Sequence, residues 1–189
     1  SLTDSQAIAV TVTNVNEAPT ITSDGAGASA SLNAAENTTA VTSVTATDVD
    51  AGATLTYAIT GGADAAKFTI NSSTGALSFA SAPNYEAPTD VGGNNVYDVT
   101  VQVSDGSLTD TQAIAGTVTN TNEVPVITSD GAGASASLSA AENQTAVTTV
   151  TATDVDAGAT RTYSLTGGAD AAKFSINSST GVLTFLSAP

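Results

Sequence analysis

The sequence predicts an all-β chain of seven-stranded Greek-key β-sandwich repeats in tandem. Apolar residues alternate with Thr, Ser and Asp at a period of two, as in TLTYAIT (54–60) and YDVTVQV (97–103). Val and Thr are abundant, and their branched Cβ suits a pleated, half-buried strand. The chain also repeats itself at an offset of 106: residues 19–83 and 125–189 are identical at 54 of 65 positions. A period of roughly 100 residues is the size of one sandwich domain, whereas solenoid units run to about 20–50.

The elements follow in order. QAIAVTVTN (6–14) places Ile8, Val10 and Val12 on one face and predicts a strand. Strands are expected at 20–23, 41–47, 54–60, 67–70, 76–79, 97–103 and 108–119. DGAGASASL (24–32) is rich in Gly, Ala and Ser and reads as a loop or loosely packed edge. GGADAAKF (61–68) predicts one helical turn capped by Asp64. NSSTG (71–75) reads as a hairpin turn, with Gly75 free to take a positive φ. Tyr57 and Tyr163 are assigned to the core, and Tyr85 and Tyr97 to partly exposed positions. Arg161 replaces Leu55 of the first copy and is expected to snorkel at its strand end. Gly116 replaces Val10 and should leave a small packing gap.

The frame this gives has three parts. Residues 1–18 read as the last strand and linker of a preceding repeat, 19–124 as a complete repeat, and 125–189 as a repeat lacking its last two strands. Those strands are expected from continuation of the chain or, second, from another copy.

Composition narrows the chemistry. Eighteen acids face three bases, for a net charge of −15, and Cys, His, Met and Trp are absent. Thiol and histidine catalysis, disulfides and Cys/His zinc sites are therefore excluded. Nucleic acid is excluded as a partner because phosphate binding needs a basic surface. No apolar run reaches the roughly 18–20 residues that span a bilayer. Glycosylation patterns at Asn37 and Asn71 are expected by chance in so Ser/Thr-rich a sequence. Asp24, Asp64, Asp90, Asp98 and Asp110 are assigned to surface and turns.

The remaining acids sit at element ends. ATDVDAG occurs at 46–52 and again at 152–158, so Asp48 and Asp50 recur as Asp154 and Asp156. Residues i and i+2 of an extended segment point the same way, so each pair aims at one spot. Carboxylates and amide oxygens brought together suit calcium, a hard cation that takes six to eight oxygens.

These pieces resemble the cadherin repeat, in its bacterial cadherin-like form. The order is Glu36-Asn37, Asp48-Val49-Asp50, Leu-x-Tyr-x-Ile (55–59), Phe-x-Ile (68–70), Thr-Gly-x-Leu (74–77), Asn84-Tyr85-Glu86, Asp105-Gly106 and Asn-x-Asn-Glu-x-Pro (120–125). The resemblance implies sandwich domains strung end to end with calcium at each junction, one to three ions here. One junction would use Glu36, Glu86, Asn120, Asn122, Glu123, Asp154 and Asp156. Another would use Asn14, Asn16, Glu17, Asp48, Asp50 and Asp105, and Glu142 would serve a third. Asn14 and Asn120 stand where the family's linker usually begins with Asp, and Asn84-Tyr85-Glu86 stands for its Asp-Arg-Glu; each swap trades a carboxylate for an amide.

The functional expectation is a calcium-stiffened structural or adhesive stalk in a large extracellular, secreted or surface protein, with no enzyme activity. Its partners would be neighbouring repeats and other copies, by head-to-tail or strand-exchange contact. The alternative is a carbohydrate- or homophilic-binding module, with polysaccharide as a partner.

Overall fold

Inter-strand pairing organises a computed structural model of residues 1–189 into two compact units, Ser1–Asn120 and Thr121–Pro189. The first contains β1 (Thr20–Ile21), β2 (Ser29–Ala35), β3 (Ala40–Ser43), β4 (Ala46–Thr47), β5 (Thr56–Gly61), β6 (Phe68–Ile70), β7 (Ala76–Phe79), β8 (Val96–Ser104) and β9 (Thr109–Thr119). A four-stranded sheet runs in the order β2-β9-β8-β5, and a three-stranded one in the order β3-β7-β6. β1 and β4 form a short separate pair. The second unit contains β10 (Val126–Ile127), β11 (Ala146–Thr149), β12 (Ala152–Thr153), β13 (Phe174–Ile176) and β14 (Val182–Phe185). It reproduces the pairings β1-β4 and β3-β7-β6 as β10-β12 and β11-β14-β13.

Period-two alternation is visible as burial. Tyr97, Val99, Val101 and Val103 of β8 are buried, and Ile114 and Val118 of β9 join them. Phe68, Leu77 and Phe79 come to the same core from the three-stranded sheet, and Val44 from the segment between β3 and β4. Burying each such Val, Leu or Phe side chain contributes about 1.5–3 kcal/mol. Phe79 stacks on Phe68 at 4.8 Å and meets Tyr97 edge-on at 5.2 Å. Tyr97 is thus a core residue, 1% exposed, rather than a partly exposed one. Its hydroxyl still finds a partner by accepting the Thr89 N–H at 3.1 Å.

The strand expected over 41–47 divides because its pairing changes. β3 pairs with β7 and β4 with β1, and between them Val44 N–H donates to the Gly75 carbonyl at 2.9 Å. Gly75 has φ +70°, and a Cβ there would overlap the Val44 carbonyl oxygen. Asn71 closes the same turn, its Oδ1 accepting the Ser73 and Thr74 N–H groups at 3.0 Å each. Gly116, by contrast, leaves room for a methyl group: a Cβ there would sit 3.7 Å from the Tyr97 carbonyl oxygen.

Two stretches show what pairing decides. Of residues 24–32, expected as a loop or loosely packed edge, 24–28 are loop and 29–32 belong to β2, an edge strand parallel to β9 over seven paired positions. Residues 6–14 form no strand and lie exposed, because no neighbouring strand pairs with them. The second unit makes the same point: SASLSAA (135–141) and TYSLTG (162–167) form no strand although SASLNAA and TYAITG do. The second unit contains no strands corresponding to β8 and β9, which are the partners of β5 and β2 in the first.

A single 3-10 turn, Ala65–Lys67, follows Asp64, but Asp64 does not cap it. Asp64 is 3% exposed and its carboxylate accepts the N–H groups of Val91 (2.7 Å) and Asp98 (2.9 Å). Its counterpart Asp170 is exposed and pairs with Lys173 at 2.8 Å. Asp90 is also buried, accepting the N–H groups of Asn94 and Asn95 at 3.0 Å each. Burial opposes the Asp90 charge, yet these backbone donors outweigh it and hold the carboxyl below its ordinary value. Asp110 anchors β1 by accepting the Ile21 N–H at 2.9 Å. Asp64, Asp90 and Asp110 are therefore structural acceptors, not surface charges.

Candidate metal centre

Three segments of the first unit converge at one end of its sandwich. The Asp48–Asp50 loop leaves β4, the Asp105–Gly106 turn joins β8 to β9, and residues 14–17 pass alongside both. Asp48 shapes its loop by accepting the Asp50 N–H at 2.8 Å. Asp105 shapes the hairpin, its Oδ1 accepting the N–H groups of Ser107 (2.6 Å) and Leu108 (2.7 Å) while Gly106 takes φ +100°.

The remaining oxygens of these acids hold the passing segment. Asp50 accepts the Asn14 amide on Oδ1 and the Glu17 N–H on Oδ2 at 2.9 Å. Asp105 Oδ2 accepts the Asn16 amide at 2.8 Å. The Asn14 amide, then the Glu17 N–H, lower the Asp50 pKa despite the nearby Asp105 charge. For Asp105 the Leu108 N–H leads, followed by the Asn16 amide and the Ser107 N–H. Both carboxyls are thus ionised at neutral pH.

One atom in this cluster is left over. Asp48 Oδ2 is buried and makes no hydrogen bond. A buried carboxylate oxygen without a donor is costly unless a cation faces it. All the side-chain donors here are carboxylate and amide oxygens, with no Cys or His, which is the donor chemistry of calcium rather than of zinc or copper.

The opposite end of the first unit carries the second acidic set. Glu36, 1% exposed, follows β2, and its Oε2 accepts the Tyr85 N–H at 2.8 Å. Ligand oxygens of Glu36 and Glu86 lie within 4.8 Å of each other. Glu86 Oε1 accepts the Asn120 amide at 2.9 Å, and its Oε2 is buried without a hydrogen bond. Two neighbouring carboxylates, one oxygen unmatched, again fit a hard cation. Asn84, between them in the Asn-Tyr-Glu motif, is used locally to accept the Ala87 N–H at 2.9 Å.

In the second unit the linker meets its aspartates as in the first. Asp156 Oδ2 accepts the Glu123 N–H at 2.8 Å and Asp156 N–H donates to Asp154 Oδ1 at 3.1 Å. Asn122 donates to the Glu123 carbonyl at 2.9 Å, as Asn16 does to Glu17 at 3.2 Å. Glu142 is exposed. The structure thus brings together Asn14, Asn16, Glu17, Asp48, Asp50 and Asp105, joins Glu36, Glu86 and Asn120, and joins Glu123, Asp154 and Asp156. No helix is long and apolar enough to cross a membrane.

Comparison with known proteins points to one group. No curated protein sequence matches the chain. Among solved structures, it is similar in fold to mouse cadherin-23 EC22-24, with a TM-score of 0.53 and 23% identity over 92% of this chain and 55% of that one. Human protocadherin-24 EC1-2 gives 0.54 and 22% over 93% and 79%, and human CDH23 EC21-23 gives 0.53 and 24% over 94% and 57%. The chain therefore spans about half the length of the cadherin-23 fragment. A family profile for the cadherin domain matches residues 29–125. That match covers β2 to β9 and the linker after them, so the chain belongs to the cadherin domain family.

Proposed function

We propose that this chain is a calcium-binding, non-catalytic segment of an extracellular structural or adhesive rod, with repeat frames at 19–124 and 125–189. The observation that carries the reading is the lacing of residues 14–17 onto Asp50 and Asp105 beside the unmatched Asp48 oxygen. When bound, calcium supplies positive charge shared by these carboxylates. Asp48, Asp50 and Asp105 would hold it from the sandwich, and Asn14, Asn16 and Glu17 from the linker. Glu36, Glu86 and Asn120 of the first unit, and Asn122, Glu123, Asp154 and Asp156 of the second, offer oxygens of the same kind, and Glu142 repeats Glu36.

Mechanically, this chemistry stiffens a linker. Residues 14–17 are exposed and have no apolar anchor of their own, so their order rests on polar contacts to ionised carboxylates. An ion drawing both linker and loop oxygens to itself adds a cross-link that water does not replace. With 18 acids and three bases, the chain also repels itself without counter-ions. Tyr97 is buried and Tyr85 is 39% exposed, so no paired aromatic surface supports the polysaccharide alternative.

Calorimetric titration of the chain with calcium tests the reading. Binding is expected in the range of about 10⁻⁴–10⁻³ M typical of extracellular modules. Asp48→Asn with Asp50→Asn should remove one class of sites while leaving the core folded. Absence of calcium binding by the unaltered chain, or an unchanged isotherm for the double variant, would sink it.

A further inference from the structure

The segment between Glu86 and β8, APTDVGGNN (87–95), has little apolar surface to hold it: its one branched apolar side chain, Val91, is 74% exposed. Polar groups do the holding. Asp64 takes the Val91 N–H, the Tyr97 hydroxyl takes the Thr89 N–H, and Asp90 takes the N–H groups of Asn94 and Asn95. The segment ends at Asn95, whose φ of +63° lies in the left-handed region and whose carbonyl accepts the Val118 N–H of β9 at 2.8 Å.

Asn95 also reaches back across this loop. Its Nδ2 donates to the Tyr85 carbonyl at 2.9 Å, and its Oδ1 is buried without a hydrogen bond. Glycine would adopt the same φ at no steric cost and would leave no buried oxygen unmatched. What the asparagine side chain adds is the tie to Tyr85. Tyr85 is held on its other side too, because its N–H donates to Glu36 Oε2 at 2.8 Å. The Tyr85 carbonyl belongs to the peptide group that opens Glu86. Glu86 in turn brings an oxygen within 4.8 Å of one of Glu36, with its own Oε2 buried and unmatched.

We propose that Asn95 is the positioning residue of the Glu36–Glu86 cation site, an inference that rests on the calcium reading above. Glu36 and Asn95 grip the Tyr85 backbone from its two ends, so the Glu86 carboxylate is presented from a fixed main chain. Two like charges this close repel, and without that grip the Glu86 side chain would turn away towards water. Asn95 acts through the Tyr85 carbonyl, as outer-shell groups do when they orient a ligand. Its hydrogen bonds go to Tyr85, Asp90 and Val118, none of which belongs to the Asp48, Asp50 and Asp105 set. Its influence is therefore confined to one end of the unit.

Residue-resolved NMR of the 189-residue chain tests this, because the Tyr85 amide reports on Glu36 and the Ser107 amide on Asp105. In a calcium titration of the unaltered chain both amides should shift. Asn95→Gly keeps the left-handed backbone and removes the side-chain amide. It should weaken the calcium binding read at Tyr85 by about tenfold or more and leave that read at Ser107 unchanged. Asn95→Asp, which replaces the donor by an acceptor facing the Tyr85 carbonyl, should do the same. Asn94→Ala alters a loop neighbour whose side chain accepts the Val96 N–H and does not reach Tyr85, and should change neither. A metal-free measurement stands beside these. In chelator, hydrogen exchange at the Tyr85 amide should quicken in Asn95→Gly, while that at Asp98, held by Asp64, stays as it was. Equal weakening at Tyr85 and Ser107 overturns the proposal, as does an Asn94→Ala effect as large as that of Asn95→Gly. Unchanged affinity or unchanged exchange at Tyr85 in the Asn95 variants overturns it alone and leaves the calcium reading standing. No shift at either amide in the unaltered chain removes the calcium reading and this inference with it.

Discussion

Asp50 holds the linker with both of its oxygens, and this gives the contact a pH dependence of defined sign. Its pKa is lowered in the folded chain by the Asn14 amide and the Glu17 N–H, and that of Asp105 by the Leu108 N–H and the Asn16 amide. A lowered folded pKa means stabilisation that is fully present above the ordinary carboxylate value of 3.8 and is lost as pH falls through the folded value. Attack by a non-specific protease at 14–17 should therefore be constant from neutral pH down to the ordinary carboxylate range and rise only below it. Asp64 acts on the fold instead. Asp64→Ala removes a buried carboxylate that accepts the Val91 and Asp98 N–H groups and should destabilise the first unit by about 1–3 kcal/mol. Denaturant unfolding would measure the loss, and the Asp170→Ala change, at an exposed ion pair, should be within about 1 kcal/mol of neutral.

At the scale of elements, strand identity is decided by neighbours as much as by pattern. β5, β8 and β9 were legible because Ile, Tyr and Val alternate along them, and any register but one would expose those side chains. β2 was not legible: SASLNAA has one large apolar side chain, and its strand exists because β9 lies beside it. Residues 6–14 mislead in the other direction, since their alternation is clear but nothing pairs with them. The acids proposed as calcium ligands stand out because their spacing and order repeat. The burial of Asp64 was not, because its donors lie 27 and 34 residues away in sequence. Hydrogen exchange would expose the rule directly. In the monomer, amides of 29–35 should be protected and those of 135–141 should exchange at rates close to an unfolded peptide, although the two sequences differ at one position.

For the whole molecule the dominant quantity is the net charge of −15. The linker at 120–125 carries one carboxylate, Glu123, and two amides, Asn120 and Asn122, and ions that bind there should restrict its motion. Small-angle scattering with calcium is expected to show a stiffer, narrower distribution of dimensions than the same chain in chelator. Identical profiles would mean that the acids do not govern linker motion. Monovalent salt should reproduce the effect only partly, because screening reduces repulsion without cross-linking oxygens.

The same eight-residue sequence, GGADAAKF, carries a carboxylate that does two different jobs. Asp170 is a solvated charge beside the lysine three residues on. Asp64 is an internal tie, holding β8 and the loop before it by two backbone amides. Local sequence therefore does not define the role of this aspartate; the segments that bring donors to it do.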